Sequence, residues 1–292
     1  VPLYVEELTK TILASDILRD AGKHFELTGP LSSLAIPDTL QESLMARLDR
    51  LPLVREIAQL GSVLGREFAY EMISGLSAGG DGALQEGLSQ LVDAELLYQR
   101  GRPPRAKYIF KHALVQDAAY SSLLRRTRQS HHLHVARLLE SSFPDIVDTS
   151  PELVAHHYSE ANEGELASNY FCKAGERSLR ISANKEAIAH LTKGLEVLGA
   201  MPAGPGRAQR ELNLLMPMGP ALIATTGYAS ADVEPALRRA LELCREIGDT
   251  DKEFSVLQSL SLFHLLRGDL QVTRRLSEQL VDLAKGKQKS GA

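Results

Sequence analysis

Apolar residues recur every three or four positions along nearly all of this 292-residue chain, and one short stretch breaks the rhythm. A period near 3.6 marks the buried face of a helix, so the chain must fold as packed helices with one small sheet let into them. Leu40, Leu44, Leu48 and Leu51 trace the first such face. Pro37 and Asp38, with Gln41 three residues on, supply a capping box at its start. A second helix follows Pro52 through Val54, Ile57, Ala58, Leu60 and Leu64 to Gly65. A short helix is expected from Phe68 to Leu76, a loop over 77–82, and a fourth helix carrying Leu84, Leu88, Leu91 and Val92.

The break comes at Leu96-Leu97-Tyr98-Gln99-Arg100 and Lys107-Tyr108-Ile109-Phe110, joined through Gly101-Arg102-Pro103-Pro104. Short aromatic and apolar runs around such a turn predict a two-stranded hairpin. Three helices followed by a small hairpin are the pattern of a winged helix. From His112 onward the helical period returns, with helices expected over 165–182, 185–198, 207–226, 232–247, 252–266 and 270–285. The turns Gly248-Asp249 and Gly268-Asp269 carry stop-and-cap chemistry. Small or β-branched pairs seven residues apart recur at Ala187/Gly194, Val233/Ala240 and, less well, Val272/Gln279, at offsets of 46 and 39 residues. Those offsets exceed the period of about 34 of a tetratricopeptide repeat, which implies irregular units that must stack to bury their faces. The fold class expected is therefore mainly α: a winged-helix domain with one small β-hairpin, then a TPR-like α-solenoid. Helix 252–266 is apolar around most of its circumference, so it is expected to be buried between two neighbours.

Several chemistries lack their residues. Gly22-Lys23 and Gly286-Lys287 have neither the earlier glycine nor the following Ser/Thr of a phosphate-binding loop. No nucleophile elbow is present. Histidines cluster at His131, His132 and His134 and at His156 and His157; His131 and His134 share a helix face with no nearby Cys, Asp or Glu to complete a metal site, and all five read as surface or packing histidines. No catalytic residue and no metal ligand are assigned. Residues 67–99 hold Glu67, Glu71, Asp81, Glu86, Asp93 and Glu95 with no Lys or Arg. A recognition helix in that window would meet phosphate with the wrong sign, leaving only Gln85 and Gln90 to read bases. DNA binding through the winged helix is not expected. Residues 100–137 are the opposite, with nine Lys/Arg against Asp117. They read as a basic face that pairs with its acidic neighbour, or as a surface for phosphate.

The longest apolar stretches fall short of the ~20 residues of a bilayer span, and no secretory signal opens the chain. Cys172 and Cys244 form no disulfide framework and suit a reducing compartment, so a cytoplasmic location is expected. Val1 rather than Met opens the sequence, and the stripe Val272, Leu276, Leu280, Leu283 stops shortly before Ala292. Both ends read as cuts in a longer polypeptide.

Three segments resemble a known family. Val1-Pro2-Leu3-Tyr4-Val5-Glu6-Glu7-Leu8 is similar to the end of the nucleotide-binding module of STAND-class signalling ATPases, where a Gly-x-Pro-Leu element opens a helix. Ile36-Pro37-Asp38-Thr39-Leu40 through Leu64-Gly65-Arg66-Glu67-Phe68 resembles the linker and winged-helix start of their bacterial branch. Tyr108-Ile109-Phe110-Lys111-His112-Ala113-Leu114, then Ala119-Tyr120 and Leu133-His134, resembles the segment after the wing. Members often carry a class III adenylate cyclase, a protein kinase or a LuxR-type DNA-binding domain as well. The resemblance covers residues 1–140 and touches the repeats only loosely. It implies three parts: 1–35, the end of the helical part of an NTPase module; 36–125, linker helix and winged helix; 126–292, truncated TPR-like repeats. It further implies that Pro2 packs on adenine and that His112 touches the β-phosphate of ADP or ATP, although Lys111 and Ala113 depart from the family's Met-His-Asp form. ATP or ADP with Mg would belong to the parent protein, with no cofactor held by this segment alone. The implied partners are an upstream NTPase core and a protein or small-molecule effector on the repeats, with no membrane. The expected function is a non-enzymatic sensing and relay segment. The alternatives are the regulatory half of an adenylate cyclase polypeptide, a TPR-type interaction scaffold, or a transcription regulator.

Overall fold

The fold is that of a computed structural model, which describes residues 52–77, 79–202, 204–227 and 230–290, together with Thr9, 18–20, 25–27 and Leu48. It is mainly helical and divides into two compact units, Val1–Leu138 and Leu139–Ala292. The expected capping box at Pro37, Asp38 and Gln41 lies outside the described residues, as does Pro2; Leu48 is helical and buried.

In the first unit, strands β1 (Leu18–Asp20) and β2 (Phe25–Leu27) pair antiparallel. No strand was expected here, so this pair stands in addition to the single expected hairpin. Helix α1 (Pro52–Leu64) starts on proline, whose missing N–H costs nothing in a first turn. Gly65, at φ +128°, closes it. Then come β3 (Glu67–Ala69), α2 (Tyr70–Leu76), α3 (Gly80–Asp93), β4 (Leu97–Arg100), β5 (Lys107–Phe110) and α4 (Ala113–Ser121). The hairpin read from the sequence is β4–β5, and β5 also pairs with β3, giving the sheet order β3-β5-β4. Phe68 and Ala69, expected to open a helix, are therefore strand. Alternation fixes the faces: Tyr108 and Phe110 point into the core, where the Phe68 ring lies 5.8 Å and 5.9 Å from theirs. On the wet face Lys107 reaches Glu67 at 3.0 Å. Apolar side chains of α1, α2, α3 and α4 close over this sheet, among them Ile57, Ile73, Leu88 and Val115.

Helix α5 (Arg125–Ser142) contains the division between the units. In the second unit follow α6 (Pro144–Thr149), α7 (Pro151–Glu160), α8 (Gly164–Arg180), α9 (Asn184–Ala200), α10 (Arg207–Thr226), α11 (Val233–Ile247), α12 (Thr250–Leu266) and α13 (Leu270–Ser290). Each helix from α7 on packs on the next, in a helical-repeat arrangement. At its start the Tyr158 and Tyr170 hydroxyls both donate to the Glu140 carboxylate, and their rings stack at 5.8 Å. Burial and that carboxylate push the Tyr170 hydroxyl pKa well up. The seven-residue pairs fall where stacking needs small side chains. Ala187, Gly194, Val233 and Ala240 are all buried, whereas Gln279 is exposed. Gly248 ends α11 at φ +80°, and Asp249 caps α12 by accepting the Lys252 amide at 3.0 Å. That amide holds the Asp249 carboxyl below its usual pKa. The cap therefore stabilises above the ordinary carboxylate range and fades as pH falls.

Helix α12 has the two neighbours expected of it but is not buried all round. It packs between α11 and α13 through Val256, Leu257, Leu260 and Phe263. Leu262, Leu265 and Leu266 nevertheless stay 41–54% exposed. Two neighbours cover two sides of a helix that is apolar on three.

Close approach in the stack is set at Gly194, where an added Cβ would sit 2.6 Å from Leu214 and 3.1 Å from Phe171. Gly194→Leu should cost about 1–3 kcal/mol in urea unfolding, by overpacking. Gly199, in the same helix with nothing within 4 Å of its would-be Cβ, is the control. A Gly194→Leu protein as stable as Gly199→Ala would contradict this packing.

Candidate functional site

His112 stands between β5 and α4 and is the N-cap of α4, extended at φ −131° and ψ 143°. Its carbonyl accepts the Val115 amide at 3.1 Å. Its ring Nε2 is buried and has no hydrogen-bond partner, a state that usually costs ~1–3 kcal/mol. The flanking Lys111 is tied to Glu95 at 3.2 Å, and Gln116 reaches back to the Ser62 carbonyl at 3.2 Å. Pro2, the other expected nucleotide contact, lies outside the described residues. No glycine-rich phosphate cradle adjoins His112 in the sequence, and its ring nitrogen is buried rather than open to a ligand.

The face of α3 is acidic, and four of its polar side chains are engaged. Asp81 accepts from Tyr70 at 3.1 Å and from Ser74 at 2.9 Å. Gln85 donates to the Tyr70 hydroxyl and Gln90 to Glu86. Of the nine cations in 100–137, Lys107 and Lys111 pair with acidic neighbours. Arg128 lies over the Tyr120 ring at 4.4 Å and also donates to the Leu123 carbonyl. Arg100, Arg102, Arg105, Arg125, Arg126 and Arg137 are exposed. His132 is buried edge-on against Tyr120, its Nε2 3.0 Å from the hydroxyl. Burial, then His134, lowers the His131 pKa. Among the described residues no group of three His, Cys, Asp or Glu is placed to hold a metal ion.

A polar groove of about 420 Å³ runs over α8, α10 and the start of α12, lined by Asn169, Cys172, Lys173, Arg210, Asn213 and Lys252, among others. The sequence reading missed its key contact. Pro217, inside α10, has no N–H to give the Asn213 carbonyl one turn earlier. The Cys172 thiol donates to that carbonyl instead, at 3.3 Å. Burial, with Glu176 adding to it, pushes the Cys172 thiol up to about 12, so it is a hydrogen-bond donor and not a nucleophile. A proline within a helix was the available signal, since it always frees an acceptor. The cations of the groove have partners: Arg210 has Glu165, Lys252 has Asp249 at 3.2 Å, and Lys173 lies over the Tyr170 ring.

No family model matches the chain. An uncharacterized protein of Rhizobium meliloti (strain 1021) is 28% identical over 248 residues, which is 84% of this chain and 23% of that protein. The chain thus spans about a quarter of its relative's length. Among solved structures, a Signal Transduction ATPase with Numerous Domains (STAND) protein with a tetratricopeptide repeat sensor from Pyrococcus horikoshii is 11% identical. That likeness covers 86% of this chain and 47% of the other, at a TM-score of 0.37.

The two thiols give a direct check. A pKa moved from 9.0 to about 12 leaves Cys172 about a thousandfold less thiolate at pH 8. Burial also raises Cys244. Native protein should release almost no thionitrobenzoate from Ellman's reagent, and two equivalents once unfolded. One thiol reacting at the rate of free cysteine would contradict the Cys172–Asn213 contact.

Proposed function

We propose that this chain is the sensing and relay segment of a multidomain signal-transduction ATPase. The reading is carried by one observation: a three-stranded sheet clasped by short helices precedes stacked helix pairs, on a sequence whose first 140 residues resemble a STAND-class protein in three segments. On this reading the first unit is a winged helix that docks on an upstream ATPase core, and the second takes a protein or small-molecule effector. The acidic α3, with both glutamines engaged, supports a protein-facing rather than a DNA-facing winged helix.

The relay is a two-state element. The effector need only bind one arrangement of the repeats better than the other to shift the switch. ADP or ATP with Mg is held by the core, and Pro2 and His112 contribute at its edge. His112 is suited to this because its Nε2 has no internal partner to give up. When the core closes, the ring turns outward and gains a phosphate acceptor. The nucleotide supplies the charge that the two states bind differently.

In the longer polypeptide, His112→Ala should speed release of a fluorescent ADP analogue by about tenfold to a hundredfold, the worth of one hydrogen bond to a charged group. Release at the wild-type rate from a variant of wild-type thermal stability would sink the nucleotide role. The isolated chain should hydrolyse no ATP and make no cyclic AMP.

A further inference from the structure

A second cavity in the repeat unit, of about 380 Å³, has a character the groove lacks. Three helices build it. Glu152, His156 and Ser159 project from one face of α7, at steps of four and three residues. His190, Lys193 and Val197 lie on one face of α9, at steps of three and four, with Glu196 beside them. Buried Phe171, from α8, joins Val197 in an apolar floor.

His156 apart, the polar side chains that line this cavity are not tied to one another or to their neighbours. Several carboxylates elsewhere in this unit meet guanidinium groups: Glu165 with Arg210, Glu211 with Arg239, Glu253 with Arg245, Glu278 with Arg274. Around this cavity the side chains of Glu152, Ser159, His190, Lys193 and Glu196 make no hydrogen bond or ion pair with another described residue. Lys193 and Glu196 are three apart on one helix, a spacing that permits pairing, and still remain apart. Burial holds the His190 imidazole below its ordinary pKa; Glu152 opposes this, Lys193 adds to it and Glu186 opposes it. The ring is thus a neutral donor and acceptor near neutral pH, and the fixed charges are two carboxylates and one ammonium.

We propose that this cavity binds a free α-amino acid with an apolar side chain. Glu152 and Glu196, from opposite walls, receive the ligand's ammonium group. Lys193 and the neutral His190 donate to its carboxylate, and Phe171 and Val197 face its hydrocarbon. The volume lies at the small end of the ~300–1,000 Å³ range of ligand pockets. A lone anion would be repelled by two carboxylates, and a lone cation would leave Lys193 unanswered. A small zwitterion answers all three charges. The proposal rests on the sensor reading only for its consequence, since it names the effector class; the binding itself stands apart.

The test uses the whole chain and five probes, L-alanine, L-valine, L-leucine, L-methionine and L-phenylalanine. Each is followed by thermal shift and calorimetry at up to about 10 mM. At least one should bind with Kd below about 1 mM and raise Tm by about 2–5 °C. The amine lacking its carboxylate and the acid lacking its ammonium should each bind at least about tenfold more weakly. Lys193→Met and the double variant Glu152→Gln, Glu196→Gln change partly or fully exposed side chains, so their unliganded Tm should be unchanged while affinity falls at least about tenfold. No binding by any of the five, or binding that survives both variants, overturns the proposal. A failure here with His112→Ala still speeding ADP release would remove the amino acid and leave the relay standing.

Discussion

The repeat unit depends on how closely its helices approach. An amphipathic helix pair cannot bury both faces within itself, so the stack exists only if each pair seats on the next. Two glycines let it. A Cβ at Gly175 would fall 2.5 Å from Leu191, and one at Gly194 would meet Leu214 and Phe171. Leu191 and Leu214 fill those spaces and are almost fully buried. The cavity over Phe171 and the groove over α10 lie on either side of α8, so this contact also positions both candidate binding surfaces.

The helices were legible because their signal is local. Period, the proline at the start of α1, and the Gly248-Asp249 turn are each read within a few residues, and the structure places a helix boundary at each. The seven-residue pairs marked the buried faces of α9 and α11 before any contact was known. What the sequence hid is non-local. Strand β3 is three residues long, and its partner β5, with the Lys107–Glu67 pair across the wet face, lies 40 residues further on. Nothing in Glu67-Phe68-Ala69 distinguishes it from the first turn of a helix. Helix α12 misled in the other direction. Apolar residues all round imply burial all round only if there are enough neighbours, and composition does not count neighbours.

The candidate sites were legible to different degrees. The acidic charge of α3 was legible in the sequence, and the structure adds that Gln85 and Gln90 serve Tyr70 and Glu86. His112 was found by resemblance, and its unpartnered ring nitrogen is a structural fact no sequence could give. The amino-acid cavity was out of reach. Its residues come from α7, α8 and α9, and their grouping is visible only once those helices are side by side.

The central claim is that the repeats bias a nucleotide switch they do not themselves contain. The most direct measurement is the release rate of a fluorescent ADP analogue from the longer polypeptide, with residues 139–292 present and with them removed. Coupling of the usual strength, ~1–3 kcal/mol, should change that rate about fivefold or more. Equal rates, in proteins whose core binds the analogue equally well at equilibrium, would contradict the account.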